Sequence, residues 1–390
     1  MKKPIYLDHH ATTPVDPRVL EAIIPYFLDK FGNASSRHHL FGDEANEAVG
    51  IAREQVAALI GSKKEEIIFT SGATESNNLA LKGLATLDPA KKDIVTVATE
   101  HKAVLDVCAS LEKEGFGTTI LPVTKAGSVS PEEVRKAITP STAGVSVMAV
   151  NNEIGALNPI KKIGAICREK EVIFHCDAAQ GAGKIPIDVE EFNIDLLSLS
   201  GHKIYAPKGV GALFVRGHRP RIRLRAQIDG GGHERGMRSG TLNVPGIVGL
   251  GKACAIAKKE MIEESKRLAE LRDYLLKSLQ ENIPGLCVNG AMENRLPGNL
   301  SLIIKGVDSE ALLFKLKQEG VALSSGAACS TNKIEPSHVL QAIGVSEENL
   351  FSALRFGLGR ETTKDELDIS IKKILKVSGQ LLNIKTRLHP

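Results

Sequence analysis

No two cysteines in this 390-residue chain stand in a CxxC spacing, although there are six: Cys108, Cys167, Cys176, Cys254, Cys287 and Cys329. That argues against a structural zinc site, a ferredoxin-type cluster and a disulfide framework. Five of the six read as small core hydrophobes. No apolar run approaches the roughly 18 residues that a membrane span requires. The start, "MKKPIYLDHH", has two lysines but no apolar h-region, so it does not read as a secretory signal. A strong excess of either charge is also missing; a net charge of +4 is too mild to point to nucleic acid. The one dense basic stretch, "RPRIRLRAQ", alternates Arg219, Arg221, Arg223 and Arg225 with Ile222 and Leu224, and is expected to be the solvated face of a strand. There is no internal repeat and no low-complexity linker. Scattered thiols without a targeting segment place the protein in a reducing cytoplasm.

What the chain does have is alternation. Apolar runs of four to eight residues recur from "EEIIFTS" (65–71) to "VGALFV" (210–215), with helical patterns between most of them. In "DEANEAVGIAREQVAALIG", Val49, Ala52, Val56, Leu59 and Ile60 fall at helical spacing and Gly61 supplies the stop. Strand–helix alternation predicts an α/β domain with a mostly parallel sheet, whose ligands gather at the carboxyl ends of the strands. After about residue 255 the strand candidates become shorter ("NLSLIIKG", "VALSSG"). The predicted division is a large domain over 15–258 and a smaller α+β domain built from 1–14 plus 259–390.

Several polar residues sit just past strand ends. "FTSGATESNN" runs from a strand into a small-residue turn and a helix, which offers free N–H groups to a phosphate. "AAQGAGKI" fails as a Walker loop, with Ala178 in place of the first glycine and Ile185 in place of Ser or Thr. Asp177 and Gln180 follow one strand, His101 another, Asn152 a third. In "SLSGHKIYAPKGVGALFV", His202 and Lys203 lie between two buried runs, where a charge is costly unless it is paired or used. A lysine to form a Schiff base, a carboxylate for a pyridinium nitrogen and a phosphate cup together describe a site for pyridoxal 5'-phosphate.

The strings "YLDHHATTPVDPRV", "FTSGATESNN", "TEHKAV", "NNEIG", "CDAAQ", "SGHKIYAPKGVGAL", "GGGHERGMRSGT", "SSGAACS" and "LRFGLGR" resemble, in order, the cysteine desulfurases of the NifS/IscS branch of the class V aminotransferase group. These are fold-type I pyridoxal phosphate enzymes. The resemblance implies that Lys203 binds the cofactor aldehyde, that His101 stacks on the ring, and that Asp177 holds the pyridinium nitrogen and Gln180 the ring hydroxyl. Ala73, Thr74, Ser200 and His202 would hold the phosphate, and Thr241 would reach the phosphate of the neighbouring subunit of a homodimer. Arg355, helped by Asn152, would clamp the carboxylate of L-cysteine. Cys329, on a loop of the small domain, would be the nucleophile that takes the sulfur as a persulfide and releases alanine. A sulfur acceptor, such as an iron–sulfur scaffold protein, is the implied partner. The end, "LLNIKTRLHP", is shorter than the tail that IscS-type members turn toward such a scaffold, which leaves the acceptor open. Selenocysteine lyase and aminotransferase activities share the same framework.

Overall fold

The computed structural model describes residues 4–325 and 335–388. Thirteen strands form three sheets. They are β1 (Ile5–Tyr6), β2 (Ile67–Thr70), β3 (Asp93–Val97), β4 (Gly117–Leu121), β5 (Thr142–Ser146), β6 (Ile173–Asp177), β7 (Leu196–Ser200), β8 (Gly211–Val215), β9 (Leu286–Val288), β10 (Asn299–Ile304), β11 (Val321–Ala322), β12 (Ser324–Ser325) and β13 (Ala353–Gly357). The principal sheet has seven strands in the order β2-β8-β7-β6-β5-β3-β4. All pair in parallel except β8, which runs antiparallel to both β7 and β2. Helices cover a sheet whose central strands β5, β6 and β7 are buried along almost their whole length, as in a doubly covered parallel sheet.

The helix Leu40–Ile60 buries Val49, Ala52, Val56 and Ile60, and ends at Gly61 in the left-handed conformation (φ 73°), where the Gly61 N–H caps the Ala57 carbonyl. A Cβ at Gly61 would stand 2.4 Å from Asp188 Oδ2, so the stop residue is needed for both its backbone and its lack of a side chain. The longest helix, Val244–Gln280, crosses Leu40–Ile60 closely: a Cβ at Gly251 would fall 2.5 Å from Ala52 Cα.

Two large cores lie at opposite ends of that helix. Its first half, from Val244 to Ala257, packs with the principal sheet; Leu268, Leu275, Leu276 and Leu279 join a second core over the sheet β12-β13-β10-β9. Ile5 and Leu7 belong to the second core, because β1 pairs with β11 far along the chain.

Three expectations change. The arginine-rich stretch is not a strand. Ile222 and Leu224 are buried and the four arginines exposed, as the alternation requires, but Pro220 opens the segment and no sheet partner receives it. "VALSSG" divides at Leu323 between two sheets, β11 pairing with β1 and β12 with β13. Cys287 is only half-buried, whereas Cys108, Cys167, Cys176 and Cys254 are core residues.

Candidate active site

A cavity of about 640 Å³ opens over the principal sheet. Its lining comes from the turns after β2, β6 and β7, the N-terminal segment and one arginine of β13. Such a cleft at the carboxyl ends of parallel strands is where an α/β sheet binds ligands.

One wall is the turn from β2 into the helix Ala73–Leu84. Gly72 occupies the N-cap, so no side chain bonds the first turn, and the N–H groups there lack intrahelical acceptors. The turn can approach β8 because Gly211 has no side chain: a Cβ there would meet Gly72 Cα at 2.6 Å. Ala73, Thr74, Ser200 and His202 line this end of the cavity. The nearby Glu75 is neutralised by Arg238, 2.8 Å away. His202 is held neutral: burial, then the charges of Lys203 and Lys208, lower its pKa to about 4. Its Nδ1 lies 3.2 Å from Thr12 Oγ1. Open donors at a helix N-terminus suit a dianionic phosphate.

Asp177 closes β6. Its Oδ1 accepts from the Ala179 N–H at 2.9 Å and its Oδ2 from Asn77 Nδ2 at 2.7 Å. Both donors are neutral, and among the described residues no cation pairs with this buried carboxylate. A buried anion held only by dipoles fits a cationic atom of a ligand. The neighbouring Glu100 is a weaker acid than an ordinary glutamate. Burial, and then Asp177, push its carboxyl well above the usual range, while its Oε1 accepts from the Met148 N–H at 2.5 Å.

Lys203 ends the 3-10 turn that follows β7. Its Nζ donates to the carbonyls of His10 (2.6 Å) and Ala11 (2.8 Å) and bonds no carboxylate. Burial, then the charge of Arg355, bring the amine down to about 8, within reach of the neutral nucleophilic form. His101 lines the cavity as the cap of the helix Lys102–Glu112. Its Nδ1 accepts from the Ala103 N–H at 3.0 Å, which leaves the ring proton on Nε2. Gln180 Nε2 donates to the His10 carbonyl at 2.8 Å.

Arg355 reaches the cavity from β13. One terminal nitrogen pairs with Asp8 Oδ1 at 2.9 Å, the other donates to the Asn152 carbonyl at 3.2 Å, and Nε has no partner. Asp8 is in turn held by Ser324 Oγ at 2.6 Å.

The cavity thus gathers Ala73, Thr74, His101, Asn152, Asp177, Gln180, Ser200, His202, Lys203 and Arg355. Thr241 is exposed on a loop and does not line it. Cys329 lies outside the described residues. Sequence reasoning missed Asp8, Asn77 and Glu100, whose partners stand far away along the chain. "YLDHH" offered the one available signal, an aspartate directly after a buried pair.

A parallel-sheet cleft that opposes an amine to an unpaired carboxylate, with open N–H groups beside them, is the site of a pyridoxal phosphate enzyme. The family model for class V aminotransferases matches residues 5–369, and the chain belongs to that family. Within it, the chain is 56% identical over 373 residues to "Cysteine desulfurase IscS" of Anaeromyxobacter dehalogenans (strain 2CP-C), covering 95% of this chain and 92% of the relative. The protein of the same name from Rickettsia bellii (strain OSU 85-389) is 53% identical over 382 residues, 98% of this chain and 92% of the relative. A solved "NIFS-LIKE PROTEIN" superposes with a TM-score of 0.90 at 39% identity, covering 97% of this chain and 100% of that one. The structure titled "SspA in complex with cysteine" gives 0.80 at 39% identity, over 91% and 98%.

Proposed function

We propose that this protein is a pyridoxal phosphate-dependent cysteine desulfurase, which converts L-cysteine and the thiol of Cys329 into L-alanine and a Cys329 persulfide. The observation that carries the reading is the opposition of Lys203 and Asp177 across one cavity. The residues fit the cofactor: the first turn of Ala73–Leu84 for its phosphate, Asp177 for its ring nitrogen, the Gln180 amide for its ring hydroxyl, His101 against its face and Lys203 for its aldehyde. When bound, pyridoxal phosphate supplies an electron sink for the charge left when a proton departs from the substrate α-carbon.

The chain's own residues do the rest. Arg355 presents a planar pair of donors to the substrate carboxylate, and Asp8 and the Asn152 carbonyl fix the plane of the guanidinium. Lys203 Nζ, its amine brought down to about 8, can take or return a proton at the α-carbon. The thiolate of Cys329 accepts the sulfur as the substrate carbon–sulfur bond breaks. Alanine leaves, and the persulfide carries sulfur to an acceptor.

A homodimer is the proposed unit. Phe27, Leu28, Phe31 and Leu40 expose large apolar surfaces near one end of the chain, with the Phe31 and Phe41 rings 5.3 Å apart. Patches of this kind mark protein contacts, and the proposed role of Thr241, exposed and outside its own cavity, is to serve a second copy. The proposed division into a large cofactor-binding domain and a small domain rests on the two cores joined by Val244–Gln280. The cytoplasm is the proposed location; four buried cysteines are free, and no helix of the described residues is long and apolar enough to cross a membrane.

The test uses gel-filtered holoprotein. It should elute at the mass of two chains, be yellow, and release alanine from L-cysteine in step with sulfur, whereas Lys203→Ala should release none. A monomer would overturn the dimer. Turnover that instead forms mercaptopyruvate and needs a keto-acid acceptor would make the protein an aminotransferase.

A further inference from the structure

Lys184 follows β6 in "QGAGKIP", inside the string that fails as a Walker loop. It is half-buried and lines a small cavity of about 30 Å³ together with His9, His10, Tyr205 and Glu264. His10 also lines the candidate active site, so the two spaces share that residue. Lys184 Nζ donates to Gln180 Oε1 at 3.0 Å, and it makes no salt bridge among the described residues. Burial, then the charge of Lys203 and against the pull of Glu264, lowers the amine to about 7. A lysine withdrawn from water and bonded to a neutral amide contributes little as an ion pair, so its stabilising role lies elsewhere.

The role follows from the amide it touches. Gln180 is buried, and its two ends are distinct: Oε1 only accepts and Nε2 only donates. Nε2 faces the His10 carbonyl at 2.8 Å, which can only accept. Oε1 faces the donating amine of Lys184. Turned over, the amide would set its oxygen against the His10 carbonyl oxygen, and its NH2 against an amine that is a donor-only ammonium below about pH 7. Held as it is, Gln180 spends one N–H on His10 and keeps the second for the cavity that it lines beside Asp177. The same His10 carbonyl also accepts from Lys203 Nζ at 2.6 Å, so the amide and the reactive amine are registered on one atom.

We propose that Lys184 is a positioning residue: it locks the Gln180 amide so that an N–H, and not the carbonyl, faces the ring hydroxyl of the bound cofactor. The proposal rests on the reading of this cavity as a pyridoxal phosphate site. A donor at that hydroxyl stabilises its ionised form and so lowers the pH at which the bound cofactor changes colour.

The experiment is a pH titration of the visible absorbance of the holoprotein and five variants, with no substrate present. Lys184→Met should move the midpoint upward, with a change of about tenfold in the ionisation constant, the range of one hydrogen bond to a charged group. Gln180→Ala should move it equally, and the double variant should move it no further. Lys184→Gln, which still donates an N–H without the charge, should restore the wild-type midpoint. Lys184→Ala makes the same comparison if methionine is not accommodated. A wild-type midpoint in both Lys184→Met and Lys184→Ala, shifts that add in the double variant, or no rescue by Lys184→Gln would overturn the proposal. A wild-type protein that takes up no cofactor would overturn the reading of the site instead.

Discussion

Arg355 and Asp8 are 347 positions apart and share one ion pair at 2.9 Å. The guanidinium therefore waits in a fixed plane, its Nε buried without a partner and each terminal nitrogen keeping one further N–H. Lysine offers a point charge in place of this fork. Arg355→Lys should raise KM for L-cysteine by about tenfold or more while the visible spectrum of the cofactor is unchanged; steady-state kinetics would show it, and an unchanged KM would move the role to another residue. At this scale the sequence is legible where a polar residue ends an apolar run. Asp177, Lys203, His101 and Asn152 all stand out in that way, and all line the one cavity. Their supporting partners are hidden, because a hydrogen bond such as Asn77–Asp177 joins positions 100 apart and leaves no local pattern. Lys184 is visible only as the lysine of a string that fails as a Walker loop at Ala178 and Ile185.

At the scale of elements, β6 shows how a buried strand carries a site. Just ahead of Asp177, His175 lies fully buried, its Nδ1 2.8 Å from Ser146 Oγ on β5 and its Nε2 3.0 Å from Ser198 Oγ on β7. The ring ties three adjacent strands, and burial lowers its pKa to about 4. An unfolded chain takes up this proton as pH falls below about 6.5, but the folded chain does so only near 4. Stability is therefore present above pH 6.5 and is lost as pH falls through that window, by up to about 3 kcal/mol from this residue. Glu153, raised to about 7 mainly by burial, acts in the opposite sense as pH rises. The readout is thus the difference in denaturation free energy between wild type and His175→Gln, which should shrink steadily from pH 6.5 to 4. A difference independent of pH would contradict it. Elements with strong periodicity, such as Leu40–Ile60 with its Gly61 stop, are plain in the sequence. The arginine-rich stretch is not, because period-two burial of Ile222 and Leu224 arises equally in an extended segment laid over a core without a sheet partner.

The whole molecule brings one end of the chain to the other. Residues 8–13 lie between the principal sheet and β13: Lys203 bonds the carbonyls of His10 and Ala11, and Asp8 bonds Arg355. Neither core alone assembles the cavity, since Lys203 follows a strand of the principal sheet and Arg355 stands on β13 over the second core. That closure was legible only through the order of nine motifs, for no composition shift marks where the N-terminal segment must return. Substrate sulfur mobilised in this cavity is proposed to move to one thiol, and that transfer is open to direct observation. It is tested most directly by mass spectrometry of the holoprotein after brief exposure to L-cysteine, compared with Cys329→Ala. The peptide that contains Cys329 should gain one sulfur atom and those of the other five cysteines none, while Cys329→Ala keeps its cofactor and its spectral response to cysteine but forms no alanine above background. Normal alanine formation by Cys329→Ala, or sulfur found on another cysteine, would contradict the account.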